Sequence, residues 1–190
     1  MAEQYGEFRE LRYDSDTESL NLSFWPGSIP LQQRWRNNGL SADFLGDYVT
    51  TFFPLDENAP ATRARQNEVK GAVAFIANEL LENAMKFHDG ALPEPITVHM
   101  NLQRDRILLQ QSNGVSGKAA ERFRDFVKTL RENDPDELFI RQMEESALSE
   151  DSAGVGYLTM INDYQAELAW RFDALAEAAY RVTTQVTIRL

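Results

Sequence analysis

The sequence predicts one α/β domain: a two-layer sandwich in which a mixed, mainly antiparallel sheet carries its helices on one face. Three observations lead there. Residues 65–88 place Val69, Val73, Ile76, Leu80, Ala84 and Phe87 at helical spacing, the stripe that an amphipathic helix buries. Residues 182–190, Val-Thr-Thr-Gln-Val-Thr-Ile-Arg-Leu, alternate as a half-buried strand does. The elements run strand, helix, helix, two strands, a helical excursion, helix, two strands, an order that lays helices against one sheet.

In chain order, residues 19–25 set Leu20, Leu22 and Phe24 on one side of a strand that Pro26 and Gly27 end. From Leu31 to about Phe53 the pattern is helical, with Gly39 a break or kink near its middle and a stop before Pro54. Residues 55–64 read as a connection and 65–88 as a long helix. Pro93 and Pro95 precede two strands, Ile96–Leu102 and Arg106–Gln111, with a short turn at Arg104-Asp105 between them. Ser112-Asn113-Gly114 reads as the turn leaving the second strand. Residues 115–150 form a charged helical excursion whose apolar positions include Phe123, Phe126, Val127, Leu130, Leu138, Phe139 and Met143, with 146–153 as its flexible part. A glycine-bearing loop then opens an apolar helix, followed by strands at Ala166–Phe172 and Val182–Leu190. Trp35, Trp170 and most phenylalanines are assigned to the core.

Composition narrows the function. At 190 residues and 43% hydrophobic content, one domain with a sizeable core is expected. No repeat or low-complexity tract stands out, and no apolar run is long enough to span a bilayer. The N-terminus has neither a basic start nor an apolar stretch, and there are zero cysteines, which excludes disulfides and thiolate metal sites; both features fit a cytoplasmic protein. Two histidines, His88 and His99, are too few for a histidine metal centre, and His88 reads as a cap on helix carbonyls. A net charge of −11 argues against nucleic-acid and anionic-membrane partners, which demand clustered positive charge. The acidic runs at 14–18 and 132–150 read as solvated faces.

Chemistry concentrates in the run from Asn78 to His88. On a helix, Glu79, Asn83 and Lys86 fall at i, i+4 and i+7, one line beside the buried stripe. An acid, an amide and an amine in a row suit a magnesium-nucleotide. Mg²⁺ takes one or two protein oxygens and fills its octahedron with phosphate and water. Asn83 can supply such an oxygen, Glu79 can orient or deprotonate a hydroxyl, and Lys86 can reach a phosphate. A second element is Gly154-Val155-Gly156-Tyr157, where two glycines allow close backbone approach and the free N–H groups of the following helix start face an anion.

The first run resembles the N-box of the GHKL ATPase superfamily, in which a helix bearing E-x-x-x-N binds the metal and its acid is catalytic. Gly154 and Gly156 follow about seventy residues later, in the order and at the rough distance of the superfamily's phosphate-binding G-box. Between them, Arg106 to Gly114 stands where the superfamily has D-x-G-x-G, whose Asp accepts a hydrogen bond from the adenine amino group. This chain has no Asp in that stretch; the Asn113 carbonyl can take the same bond, or Ser112 if the register shifts by one. With the stretch from Ile29 to Ser41 and the run from Met160 to Tyr164, the chain is similar to the SiaB-type kinases, close to the anti-sigma serine kinases, from about residue 20 to its end.

That resemblance implies a Bergerat-type ATP-binding domain spanning 1–190, with a lid at about 115–153. It implies ATP and Mg²⁺ as cofactors, Glu79 as general base and Asn83 as metal ligand. Lys86, Gly154, Val155, Gly156 and Tyr157 would serve the phosphates, and Ser112 or Asn113 the base. The implied activity is phosphate transfer to Ser or Thr of a small STAS-like partner. Relatives often dimerise, so a homodimer is one expected form. The alternative is a nucleotide-gated partner-binding module without phosphotransfer, which altered adenine recognition would fit. A nucleotide-free interaction protein is a third reading, which the intact glycines disfavour.

Overall fold

A computed structural model describes residues 2–25, 31–54, 56, 59–146, 154–176 and 178–190, with side chains for all of these except 31–37, 145 and 146. The strands are β1 (Glu3–Tyr5), β2 (Glu18–Phe24), β3 (Ile96–Leu102), β4 (Arg106–Ser116), β5 (Glu167–Ala176) and β6 (Ala179–Arg189). The helices are α1 (Leu31–Thr50), α2 (Pro60–Phe87), α3 (Gly117–Glu132), α4 (Pro135–Ser146) and α5 (Val155–Asn162). The expected break at Pro26-Gly27, the core role of Trp35 and the loop at 147–153 lie outside the described residues or side chains. Among the described residues no helix is long and apolar enough to cross a membrane.

One six-stranded sheet, in the order β1-β5-β6-β4-β3-β2, backs the helices. The two-layer α/β expectation holds, but every pairing among the described residues is antiparallel, so the sheet is not mixed. β4 and β5 do point the same way. Because β5 turns straight back into β6, and β6 seats itself between them, they never pair.

The helical layer is anchored by α2, whose Val69, Val73, Ile76, Leu80 and Ala84 are buried as the periodicity requires. Phe87 departs from that stripe: it is 47% exposed at the helix end. The helix begins at Pro60, where a missing N–H costs nothing, and so takes in part of the expected connection. α1 runs unbroken through Gly39. It approaches α2 closely at Gly46, where an added Cβ would lie 3.0 Å from the Lys70 carbonyl oxygen. Trp170 and Phe172 of β5, with Ile107 and Leu109 of β4, close the core from the sheet side.

β4 is longer than the sequence pattern suggests. Asn113 and Gly114 do not turn; they lie within the ladder, opposite Val182 and Arg181 of β6. Alternation along β4 then sends Ile107, Leu109, Gln111, Asn113 and Val115 toward the helices, and Leu108, Gln110 and Ser112 to the other face.

That other face is crossed by the N-terminal segment, which the sequence pattern did not reveal. Gly6, at φ +77°, releases the chain from β1; a Cβ there would lie 2.5 Å from the Leu168 carbonyl oxygen. Beyond it, side-chain amides of the sheet bind the backbone as a neighbouring strand would. Arg9 N donates to Gln185 Oε1 at 2.7 Å, and Gln185 Nε2 donates to Arg9 O at 2.7 Å. Asn101 Nδ2 donates likewise to Arg12 O at 2.7 Å. Gln185→Ala removes both Arg9 bonds at a fully buried position, and is expected to cost about 2 kcal/mol. For a chain of this size, that is a fall of roughly 4–8 °C in the thermal midpoint. An unchanged midpoint in thermal unfolding would contradict this role for the strap.

Candidate functional site

Five elements meet around a cavity of about 310 Å³. Its floor is Gln111, Asn113 and Val115 of β4 with Val182 and Thr184 of β6. One wall is Asn83 and Phe87 of α2; the opposite wall is Ala119, Arg122, Phe123 and Phe126 of α3. Gly154 and Tyr157 close it at the start of α5. An apolar hollow with a few convergent polar groups is the usual form of a small-molecule site.

Asn83 is placed there by the helical period, one turn beyond Glu79. Both glycines of the expected loop lie in close approach to a neighbouring side chain. Gly154 caps α5 at φ 100°, and a Cβ on it would lie 2.6 Å from Phe126 Cε2. A Cβ on Gly156 would lie 2.0 Å from Glu79 Oε2, so the carboxylate sits directly against the α5 backbone. The ring wall is held in place by its own contacts: Phe123 and Phe126 stack at 6.0 Å, and Tyr157 lies 6.1 and 5.8 Å from them.

The electrostatics follow from burial. Desolvation raises the Glu79 carboxyl above its ordinary value, and the nearby Glu82 charge adds to this. Burial pushes the Tyr157 phenol up to about 12; the Glu79 charge acts in the same direction, while hydrogen bonds with Thr184 and Asn83 oppose it. On the floor, Gln111 Nε2 donates to Asn113 Oδ1 at 3.0 Å.

Of the residues singled out in the sequence, Asn83, Asn113, Gly154 and Tyr157 line the cavity. Glu79 and Gly156 touch each other beside it, and Val155 starts α5 without contributing to the wall. Lys86 is outside the wall, on the exposed side of α2, with Nζ 5.3 Å from the Phe87 ring centroid. Ser112 is on the opposite face of the sheet, where its hydroxyl pairs with that of Thr183 at 2.8 Å. The His88 imidazole does not cap the helix: among the described residues neither buried ring nitrogen has a hydrogen-bond partner, and only its backbone N–H reaches Ala84 O.

Sequence reasoning passed over Gln111, Arg122, Phe123 and Phe126. Period-two alternation from Asn113 points to Gln111. No signal separates a phenylalanine facing a cavity from one facing the core.

No family model matches the chain, and no curated protein sequence matches it. Among solved structures the chain is similar to the crystal structure of the SiaB–SiaC complex from Pseudomonas aeruginosa, with a TM-score of 0.55 and 14% sequence identity. The match covers 89% of this chain and 89% of that one. At that identity the likeness is one of fold.

Proposed function

We propose that this chain is a partner-switching regulator that binds ATP with Mg²⁺ and transfers phosphate to a Ser or Thr hydroxyl of a small STAS-like protein. The convergence of Asn83, Asn113, Gly154 and Tyr157 on one cavity carries the reading. The fold likeness to a protein solved in complex with a second protein supports a protein partner.

The residues fit the nucleotide and its metal. Amides and aromatic rings offer a base both hydrogen bonds and flat apolar contact. Gly154 caps α5 in a left-handed conformation with no side-chain cap, and the first N–H groups of a helix, at its positive end, favour an anion. Among the described residues no group of three or more His, Cys, Asp or Glu could hold a metal ion. A sparse donor set is what Mg²⁺ uses when phosphates supply the rest. Asn83 Oδ1 would be its protein ligand, and when bound the ion neutralises charge on the transferring group.

Glu79 is the proton acceptor in this reading. Its raised pKa makes it a stronger base than an exposed carboxylate while leaving it ionised at sufficiently high pH. The acceptor hydroxyl would give up its proton to Glu79 as its oxygen bonds to the γ-phosphorus and the bond from that phosphorus to the bridging oxygen breaks, releasing ADP. Glu79→Gln is expected to cut transfer at least ~100-fold with ATP affinity retained. Labelled γ-phosphate transfer to a STAS-type protein from the same organism measures this.

The same variant reports on stability. The folded pKa lies above the unfolded one, so the folded state holds the proton more tightly and stability falls as pH rises through that window. Glu79→Gln should therefore be the more stable form at neutral pH, with its advantage fading below the ordinary carboxylate range.

A second reading is favoured by one observation: Glu79 packs against Gly156 and does not line the cavity. A nucleotide-gated binder without transfer would keep its regulation of the partner in Glu79→Gln.

A further inference from the structure

We infer that Arg122 is the cation that binds the phosphate chain of the nucleotide in this cavity, a role the sequence suggested for Lys86. The inference rests on the nucleotide reading of the site and deepens it.

A nucleotide brings several negative charges to a chain whose net charge is already −11. Glu79 stands beside the cavity, packed against Gly156, and its carboxylate repels such a ligand. Mg²⁺ offsets part of that charge when bound, and a cation of the protein facing the phosphates offsets more. Lys86 is not that cation, since it lies on the exposed side of α2, outside the wall. Among the described residues that line the cavity, Arg122 is the one whose side chain is charged.

The period of α3 sets it there. Ala119, Arg122, Phe123 and Phe126 fall at i, i+3, i+4 and i+7, one face of the helix, and that face is the wall opposite Asn83. The neighbouring cations of α3 are already committed. Arg124 lies 4.7 and 4.5 Å from the Phe172 and Tyr180 ring centroids, and its Nε donates to Glu3 Oε2 at 2.7 Å. Lys128 pairs with Asp125 at 3.8 Å. Arg122 differs: among the described residues it makes no hydrogen bond, ion pair or ring contact. It is also exposed, so no buried partner has to be given up when a ligand arrives. Its planar fork of donors matches two oxygens of a phosphate, which a lysine ammonium cannot do. Asn83 would then hold the metal from one wall while Arg122 holds the phosphates from the other.

The test is calorimetric titration of the full chain with ATP and Mg²⁺ at several salt concentrations, on wild type, Arg122→Gln and Arg122→Lys. Arg122→Gln is expected to bind at least about fivefold more weakly, the loss of a charge-assisted bond at an exposed position. Its affinity should also fall less steeply with added salt, because one screened attraction is gone. Arg122→Lys keeps the charge without the fork, and should bind more tightly than Arg122→Gln with the salt dependence of wild type. The position is exposed, so neither variant should move the thermal unfolding midpoint.

A smaller loss in Arg122→Gln would overturn the inference while leaving the nucleotide site intact. So would a loss with unchanged salt dependence, or one shared equally by Arg122→Lys, since either would mean that the side chain acts through its shape. No binding of ATP to wild type would overturn the site reading and this inference with it.

Discussion

Gly154→Ala is expected to destabilise the fold by about 2–5 kcal/mol and to abolish nucleotide binding. Two costs combine. A left-handed backbone costs a residue with a Cβ about 1–2 kcal/mol, and Gly154 has φ 100°. The added methyl would also fall 2.6 Å from Phe126 Cε2 and 2.9 Å from Cζ. That ring cannot simply swing away, because Phe123 stacks on one side and Tyr157 lies against it. Overpacking of this kind costs about 1–3 kcal/mol. Thermal unfolding should show a midpoint lowered by roughly 4–20 °C. An unshifted midpoint would mean that the loop does not hold this conformation.

Gly156→Ala is expected to behave in the opposite way: stability nearly unchanged, phosphotransfer reduced at least ~100-fold. The clash is severe on paper, since the Cβ would lie 2.0 Å from Glu79 Oε2. Yet the obstacle is the end of a flexible side chain on the half-buried Glu79, which can rotate aside. Alanine also favours the helix over glycine by about 1 kcal/mol, which offsets the displacement. What is lost is the position of the carboxylate. Unfolding and transfer assays on the same preparation separate the two effects, and full transfer by a folded Gly156→Ala protein would exclude Glu79 as the base.

The parts legible in the sequence were those with a period. α2 could be read from its buried stripe, and with it the alignment of Glu79 and Asn83. The last strand followed from the alternation of Val182 to Leu190. What escaped has physical reasons. Asn113-Gly114 is a strong turn signal, but pairing with β6 along the whole of β4 overrides it. Extending the strand then fixes the faces, which sends Ser112 away from the cavity and brings Gln111 in. Phe87 continues the apolar stripe of α2 but reaches past the core to the cavity edge, because the helix ends there. β1 is three residues long and the strap is held by side-chain amides of the sheet, so neither leaves a periodic trace.

If the cavity under α5 is a magnesium-nucleotide site organised by Asn83, the metal and that amide must act together. Calorimetric titration with ATP, in the presence and absence of Mg²⁺, on wild type and Asn83→Ala tests this most directly. The expected result is magnesium-dependent binding that weakens at least ~100-fold in the variant, with unfolding behaviour retained. Equal affinity in the two proteins, or no binding to wild type at millimolar nucleotide, would contradict it.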